Sequence, residues 1–186
     1  MSTPVEPLLT IDDLDALPDD GNRYEIIEGE LFVSRAPHLK HQRVSGNLFA
    51  AFRSHLDRNP IGEILATPGV IFSDFNGVIP DLLFITYERR DEIASGDRII
   101  GAPDLVIEIV SPGAENEKRD RIAKRQLYGK YGVKEYWVVD PYQRTIELYL
   151  LEGQRLKLQE TYSEKDEVVS SVLPGFSCKV ESIFRT

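Results

Sequence analysis

The strongest constraint on the fold is a strand–helix–strand pattern in the second half of the chain. Asp104–Val110 is a short and almost wholly apolar run, which predicts a buried strand. A helical pattern follows over Glu117–Tyr131, and Gly132 suits its C-terminal end. Glu135–Val139 is a second apolar strand. Two strands joined through a helix lie parallel in one sheet, so we predict an α/β fold.

The rest of the sequence adds strands and two helices to this unit. Leu39–Leu56 has apolar residues at every fourth position, which predicts an amphipathic helix. Glu28-Gly29 predicts a tight hairpin, because glycine accepts a positive φ angle. Together the elements predict one mixed α+β domain over 1–186, with an N-terminal extension at 1–20. The other predicted elements are a short capped helix at 10–17, a polar connection at 87–101, and strands at Tyr24–Glu28, Leu31–Ser34, Glu63–Ser73, Leu82–Ile85, Thr145–Leu151, Arg155–Tyr162 and within 168–173.

Composition narrows the class of protein. The formal net charge of −9 argues against a protein that coats nucleic acid with a broad basic face, but it leaves room for a local basic strip. The single cysteine, Cys178, leaves no internal disulfide and no zinc-binding Cys/His spacing. The N-terminus lacks the basic and apolar segments of a secretory signal, and no run approaches the roughly 18 apolar residues of a membrane helix. We therefore expect a cytoplasmic protein with no membrane association.

Two carboxylates occupy unusual places in the predicted strands. Asp81 follows Pro80 at the start of an apolar strand, where its carboxylate would emerge at the end of the sheet. The ordinary alternative is an aspartate in a turn. Glu108 lies within Leu105–Val110, and burying an ionised carboxylate costs several kcal/mol unless a partner or a metal offsets it. The alternative for Glu108 is an edge strand with the side chain in water.

The helix after Glu108 supplies a third candidate. Asp120, Lys124 and Tyr128 are spaced by four residues and therefore share one helical face. Asp120 and Lys124 alone would be read as a surface ion pair worth about 0.3–0.5 kcal/mol. The same helix carries a strip of basic residues that could contact a phosphate backbone or simply face solvent, namely Lys118, Arg119, Arg121 and Arg125.

Taken together, these residues predict a metal-assisted hydrolytic site. Two carboxylates suit Mg²⁺ or Mn²⁺, which need few protein ligands and keep several waters. A lysine beside the ion could orient or help deprotonate the attacking water, or offset negative charge on a phosphate.

The order of these residues resembles the PD-(D/E)XK nuclease signature. Longer segments resemble the Uma-two family, whose members are described as restriction endonucleases, and the resemblance spans about residues 10 to 176. The signature lysine would fall at position 110, which is Val110 here, so Lys124 is its natural replacement. The segments that carry the resemblance are Arg23–Glu30, Pro80-Asp81, Leu105–Pro112, Asp120–Lys124, Tyr128 and Gly132–Pro141.

This resemblance implies a restriction-endonuclease-like core, a mixed central β-sheet flanked by helices, and a metal-dependent nuclease acting on DNA. Asp81 and Glu108 would be the metal ligands, with Lys124 as the catalytic partner. Glu25 matches a family position and is either a third ligand or the partner of an arginine in the first hairpin. His41 also matches, either as a substrate contact or, as we prefer, as an ordinary residue at a helix start. A homodimer would suit cleavage of two strands.

A different class of function also fits the sequence. The acidic charge and the missing lysine at position 110 are compatible with a nuclease fold that has weak or no catalytic activity and binds nucleic acid or protein. Under this alternative, Asp81 and Glu108 need not converge. Carboxylates far apart and a Lys124 that points to solvent would count against the nuclease interpretation.

Overall fold

A computed structural model describes residues 7–113 and 118–185. The predicted helix start at Glu117 lies outside these residues. The elements, in chain order, are α1 (Ile11–Asp15), β1 (Arg23–Ile27), β2 (Glu30–Ser34), α2 (Leu39–Leu56), β3 (Gly62–Ala66), β4 (Val70–Ser73), β5 (Asn76–Val78), β6 (Leu82–Thr86), α3 (Tyr87–Ile93), β7 (Ala94–Ser95), β8 (Arg98–Ile100), β9 (Leu105–Ile109), a π-helical segment (Arg119–Lys124), α4 (Arg125–Tyr131), β10 (Glu135–Asp140), β11 (Thr145–Glu152), β12 (Arg155–Tyr162), β13 (Glu167–Val169), β14 (Ser177–Lys179) and α5 (Val180–Ile183).

The strands form two large sheets and one small one. The main sheet has the order β12-β11-β10-β9-β6-β3, and its β9–β10 pair is parallel, as the strand–helix–strand pattern predicted. The second sheet has the order β2-β1-β5-β4-β8-β7, and β13 pairs with β14. The mixed α+β class and the mixed central sheet flanked by helices are confirmed. The second sheet was not predicted.

Strands of the main sheet direct alternate side chains to its two faces. On β9, Leu105 and Ile107 pack in the core on the α2 side. Val106 and Val110 pack in the core on the α4 side. Glu108 belongs to the second set by its position, so its carboxylate faces the helix that follows β9.

Two segments differ from their predictions because their partners are distant in sequence. Glu63–Ser73 was predicted as one strand interrupted at Pro68, but β3 joins the main sheet and β4 joins the second sheet. The polar connection at 87–101 contains α3, β7 and β8. Thr86 caps α3 by accepting a hydrogen bond from the Arg89 backbone N–H.

Local signals of turns and helix ends are confirmed. Glu28 and Gly29 have positive φ angles of 52° and 79° in the hairpin between β1 and β2. Gly132 ends α4 in the left-handed conformation. Thr10 caps α1 through a reciprocal pair of hydrogen bonds with Asp13. Within the described residues, no helix combines the length and the apolar character needed to cross a membrane.

Candidate metal and nuclease centre

The pairing of β6 with β9 brings Asp81 and Glu108 together. These strands are antiparallel, with Leu82 opposite Ile107 and Leu83 opposite Val106. Continuing this register by one residue places Asp81 opposite Glu108. Opposed residues of an antiparallel pair share one face of the sheet, with Cβ atoms about 4.5–5.5 Å apart. Two residues 27 positions apart in sequence are thus neighbours, and both are buried.

Lys124 reaches Glu108 from the helix that covers this face of the sheet. Its Nζ lies 3.0 Å from Glu108 Oε1 and 2.8 Å from Glu25 Oε1. Tyr128 lies on the same helical face, and its hydroxyl donates a hydrogen bond of 2.6 Å to Glu108 Oε1. Lys124 is only 2% exposed, so its charge is held by carboxylates rather than by water. The lysine therefore occupies the neighbourhood of Glu108 although it comes from a helix and not from position 110.

Asp81 is held by donors from three parts of the chain. Its Oδ2 accepts a hydrogen bond of 2.8 Å from the Ile109 backbone N–H and lies 3.0 Å from His41 Nε2. Its Oδ1 lies 3.4 Å from Arg23 Nη1, a longer contact. The structure places His41 beside Asp81, which differs from our preferred interpretation of it as an ordinary helix-start residue.

The other two predicted acids border the same site with different partners. Glu25 accepts a hydrogen bond of 2.8 Å from the Ile79 backbone N–H and pairs with Lys124, not with an arginine of the first hairpin. Asp120 is buried, and its Oδ1 accepts from Arg119 Nε at 2.9 Å. Asp120 lies in the π-helical segment, a geometry that is rare and is often found at functional sites.

These side chains line one cleft of about 270 Å³. Four acids and four bases border it, together with two histidines at the beginning of α2. The acids are Glu25, Asp81, Glu108 and Asp120, the bases are Arg23, Arg35, Arg119 and Lys124, and the histidines are His38 and His41.

The surroundings of the cleft shift the pKa values of its two central carboxylates, Glu108 and Asp81, in opposite directions. Burial raises the pKa of Glu108 to about 8, and Asp81, Asp120 and Glu25 add to this rise against the opposing effect of Lys124. For Asp81, burial alone would raise the pKa, but the hydrogen bond and charge of His41, the hydrogen bond from the Ile109 N–H and the charge of Lys124 together outweigh burial, and the net pKa is lowered. Burial would also lower the pKa of Lys124, but the surrounding carboxylates outweigh it and raise that pKa. Lys124 therefore stays charged.

The cleft fits a divalent cation by its chemistry. Within residues 7–113 and 118–185, no three His, Cys, Asp or Glu side chains are placed to hold an ion together. However, Mg²⁺ commonly uses one or two carboxylates and completes its shell with waters. Asp81 and Glu108 offer such a pair, and the raised pKa of Glu108 shows a carboxylate whose ionised form a nearby cation would stabilise.

The basic strip predicted on the helix is mostly engaged within the protein. Arg121 pairs with Asp140 and Glu147. Arg125 lies over the ring of Tyr149, with 5.2 Å between its Cζ and the ring centroid. These two arginines therefore already have partners within the protein, in addition to the solvent or phosphate contacts considered for the strip. Arg119 does line the cleft.

Sequence reasoning missed three basic residues of the cleft. Arg23 and Arg35 flank the first hairpin, and His38 precedes α2. No periodic pattern marks them, since their proximity to Asp81 depends on the pairing of distant strands. His41 had a detectable signal, because it precedes Val44 by three residues and so falls on the buried stripe of α2.

Comparisons with known proteins agree with this fold. A crystal structure of a "putative nuclease belonging to DUF820" from Anabaena variabilis superposes with a TM-score of 0.74 at 22% identity, covering 95% of this chain and 97% of that chain. A search of curated proteins gives no match. The superposition on the Anabaena variabilis structure shows that the two proteins share a fold. The model of the Uma2 family, described as "Putative restriction endonuclease", matches residues 11–181. The chain belongs to the Uma2 family.

Proposed function

We propose that the protein is a metal-dependent nuclease that hydrolyses phosphodiester bonds in DNA, with Mg²⁺ or Mn²⁺ as its cofactor. The observation that carries this proposal is the meeting of Asp81, Glu108 and Lys124 in one cleft. Carboxylates far apart and a Lys124 that points to solvent would have weakened this proposal, whereas Lys124 lies buried beside Glu108.

The cation would be held by Asp81 and Glu108. When bound, it would supply a Lewis acid that lowers the pKa of a bound water and offsets charge on the phosphoryl group. The Ile109 N–H and His41 fix the Asp81 carboxylate, while Lys124 and Tyr128 fix Glu108.

Lys124 acts through its charge in this proposal. A general base must lose its proton near the working pH. The pKa of Lys124 is raised above its ordinary value, so the ammonium group remains protonated at neutral pH. Its charged Nζ can therefore orient the attacking water or stabilise negative charge on the phosphate.

Arginines at the cleft would hold the phosphate backbone. Guanidinium groups match phosphate oxygens with paired N–H donors. Arg35 is exposed and Arg23 is partly exposed, so both can reach a ligand. Arg119 is already bonded to Asp120 and can contribute charge to the cleft. These arginines can bind phosphate although the protein has a negative net charge, because phosphate binding depends on the charges that line the cleft.

The first experiment is cleavage of supercoiled plasmid and of circular single-stranded DNA with Mg²⁺, with Mn²⁺ and with a chelator. We expect cutting with metal and none with the chelator. Asp81→Asn should cut more than about 100-fold slower, because losing a ligand should cost at least as much as losing a group that supports one.

Asp104→Asn is the matched control. Asp104 is an equally buried aspartate just before β9, bonded to Thr86 and Lys134 and outside the cleft. We expect it to melt at a lower temperature but to cut at the wild-type rate while folded. Equal loss of cutting in both variants would mean that general damage to the fold, and not the loss of a ligand, is being measured. A folded wild type that cuts neither substrate would favour the binding module.

A further inference from the structure

Each of the two central carboxylates has its two shortest hydrogen bonds on one of its oxygens. For Asp81, that oxygen is Oδ2, which receives the Ile109 N–H at 2.8 Å and meets His41 Nε2 at 3.0 Å. An ionised carboxylate can only accept hydrogen bonds, so His41 Nε2 is the donor in this contact. Its Oδ1 has, among the described residues, only the 3.4 Å contact with Arg23.

The hydrogen bonds of Glu108 also fall on one of its two carboxylate oxygens. Its Oε1 receives the Tyr128 hydroxyl at 2.6 Å and Lys124 Nζ at 3.0 Å. Within the part of the chain that the structure describes, Oε2 of Glu108 makes no hydrogen bond. Both donors come from the one helix that covers this face of the sheet, and Tyr128 is wholly buried.

Other buried residues of the same types are bonded differently. Tyr136, also wholly buried and packed against Tyr128, donates its hydroxyl to the backbone carbonyl of Asp120. His55, on the same helix as His41 and similarly buried, packs against Phe176. A buried tyrosine or histidine in this fold thus has other ways of being accommodated. Among the buried tyrosines and histidines of the described residues, only Tyr128 and His41 form hydrogen bonds with Glu108 or Asp81.

We infer that His41 and Tyr128 are positioning residues that each hold one oxygen of a metal-binding carboxylate, so that Asp81 Oδ1 and Glu108 Oε2 are the oxygens offered to the divalent cation. This inference rests on the proposed function. The two donors act by geometry, since a carboxylate with one oxygen fixed by two hydrogen bonds has a defined plane and a defined free lone-pair direction.

The test is Mn²⁺ binding to the full chain, measured by titration calorimetry, with thermal melting of each variant to confirm folding. Tyr128→Phe keeps the ring and removes the one hydroxyl, and Tyr136→Phe makes the same change at a backbone-bonded tyrosine. We expect Tyr128→Phe to bind Mn²⁺ about 10- to 100-fold more weakly, as is usual for groups that orient metal ligands. Tyr136→Phe should bind Mn²⁺ like the wild type.

His41 is tested in the same way. His41→Leu should weaken Mn²⁺ binding by a similar factor, His41→Gln should recover part of it because the amide can donate to Asp81, and His55→Leu should leave it unchanged. If Asp81→Asn weakens Mn²⁺ binding while Tyr128→Phe and His41→Leu bind normally, the positioning role is wrong and the metal site stands. If the wild type binds no Mn²⁺, the proposed function and this inference both fail.

Discussion

Replacing Lys124 with methionine should lower DNA cleavage by about 10²–10³-fold, the usual effect of removing one preorganised charge or donor from a transition state. Mn²⁺ binding should be unchanged or tighter, because a cation that repels the ion has been removed. Lys124 lies 3.0 Å from Glu108, and its raised pKa keeps it charged. Parallel measurement of cleavage rate and Mn²⁺ affinity therefore separates the role of this lysine from that of a ligand, since loss of a ligand lowers both.

The same variant should be destabilised in a pH-dependent way. Removing one member of a buried ion pair typically costs about 3–5 kcal/mol, because the partner charge is left without compensation. Glu25 and Glu108 both lose their cation in Lys124→Met. Because the pKa of Glu108 is about 8 in the fold, its carboxyl is neutral at pH 5 and mostly ionised only above pH 8. Urea unfolding should therefore show a larger loss above pH 8 than at pH 5.

Lys130→Met is the matched control for charge. Lys130 is half exposed and pairs with Glu28 at the surface. Surface pairs contribute about 0–1 kcal/mol, so this variant should fold and cut like the wild type. If Lys124→Met retained full cleavage, Lys124 would be a structural counter-ion and another cleft cation, such as Arg119, would have to supply the charge.

Sequence patterns predicted the parts of this fold that depend on local physics. The period of apolar residues gave α2 over the range seen in the structure, and the strand–helix–strand order gave the parallel β9–β10 pair. The four-residue spacing of Asp120, Lys124 and Tyr128 placed them on one face, and that face covers Glu108. These signals succeed because a helix or strand fixes the direction of its own side chains.

What the sequence could not predict depends on pairing between distant segments. Glu63–Ser73 is divided between two sheets because β3 pairs with β6 and β4 pairs with β5. No local sequence pattern predicts these pairings. Arg121 looked like a free surface cation because Asp140 and Glu147 are far along the chain. Arg23 reaches Asp81 across 58 residues. The single domain, the homodimer, the cytoplasmic location and the DNA substrate stay predictions.

The Glu108→Gln variant should be inactive and yet more stable than the wild type in chelator at pH 8. The pKa of Glu108 is raised to about 8 in the fold, from an ordinary value of 4.5. Between these two values the folded protein holds a proton that the unfolded chain has lost, so wild-type stability falls as pH rises from about 4.5 to about 8. Glutamine does not titrate, and its melting temperature should rise relative to the wild type across this window. Cleavage should fall more than about 100-fold.

With metal bound, the wild type should be more stable than Glu108→Gln. An ion at 100 times its Kd adds about 2.7 kcal/mol to a fold that binds it, and Glu108→Gln should gain much less than the wild type. Glu135→Gln is the control, since Glu135 is a wholly buried glutamate outside the cleft, bonded to Trp137 and Ser171. It should lose stability at every pH and keep the wild-type response to Mn²⁺. A Glu108→Gln protein less stable than wild type in chelator at pH 8 would mean that Lys124 and Tyr128 hold Glu108 ionised without metal. The Glu108 carboxylate would then be a structural ion-pair partner. It would not lower the stability of the metal-free protein, as we expect of a buried metal ligand.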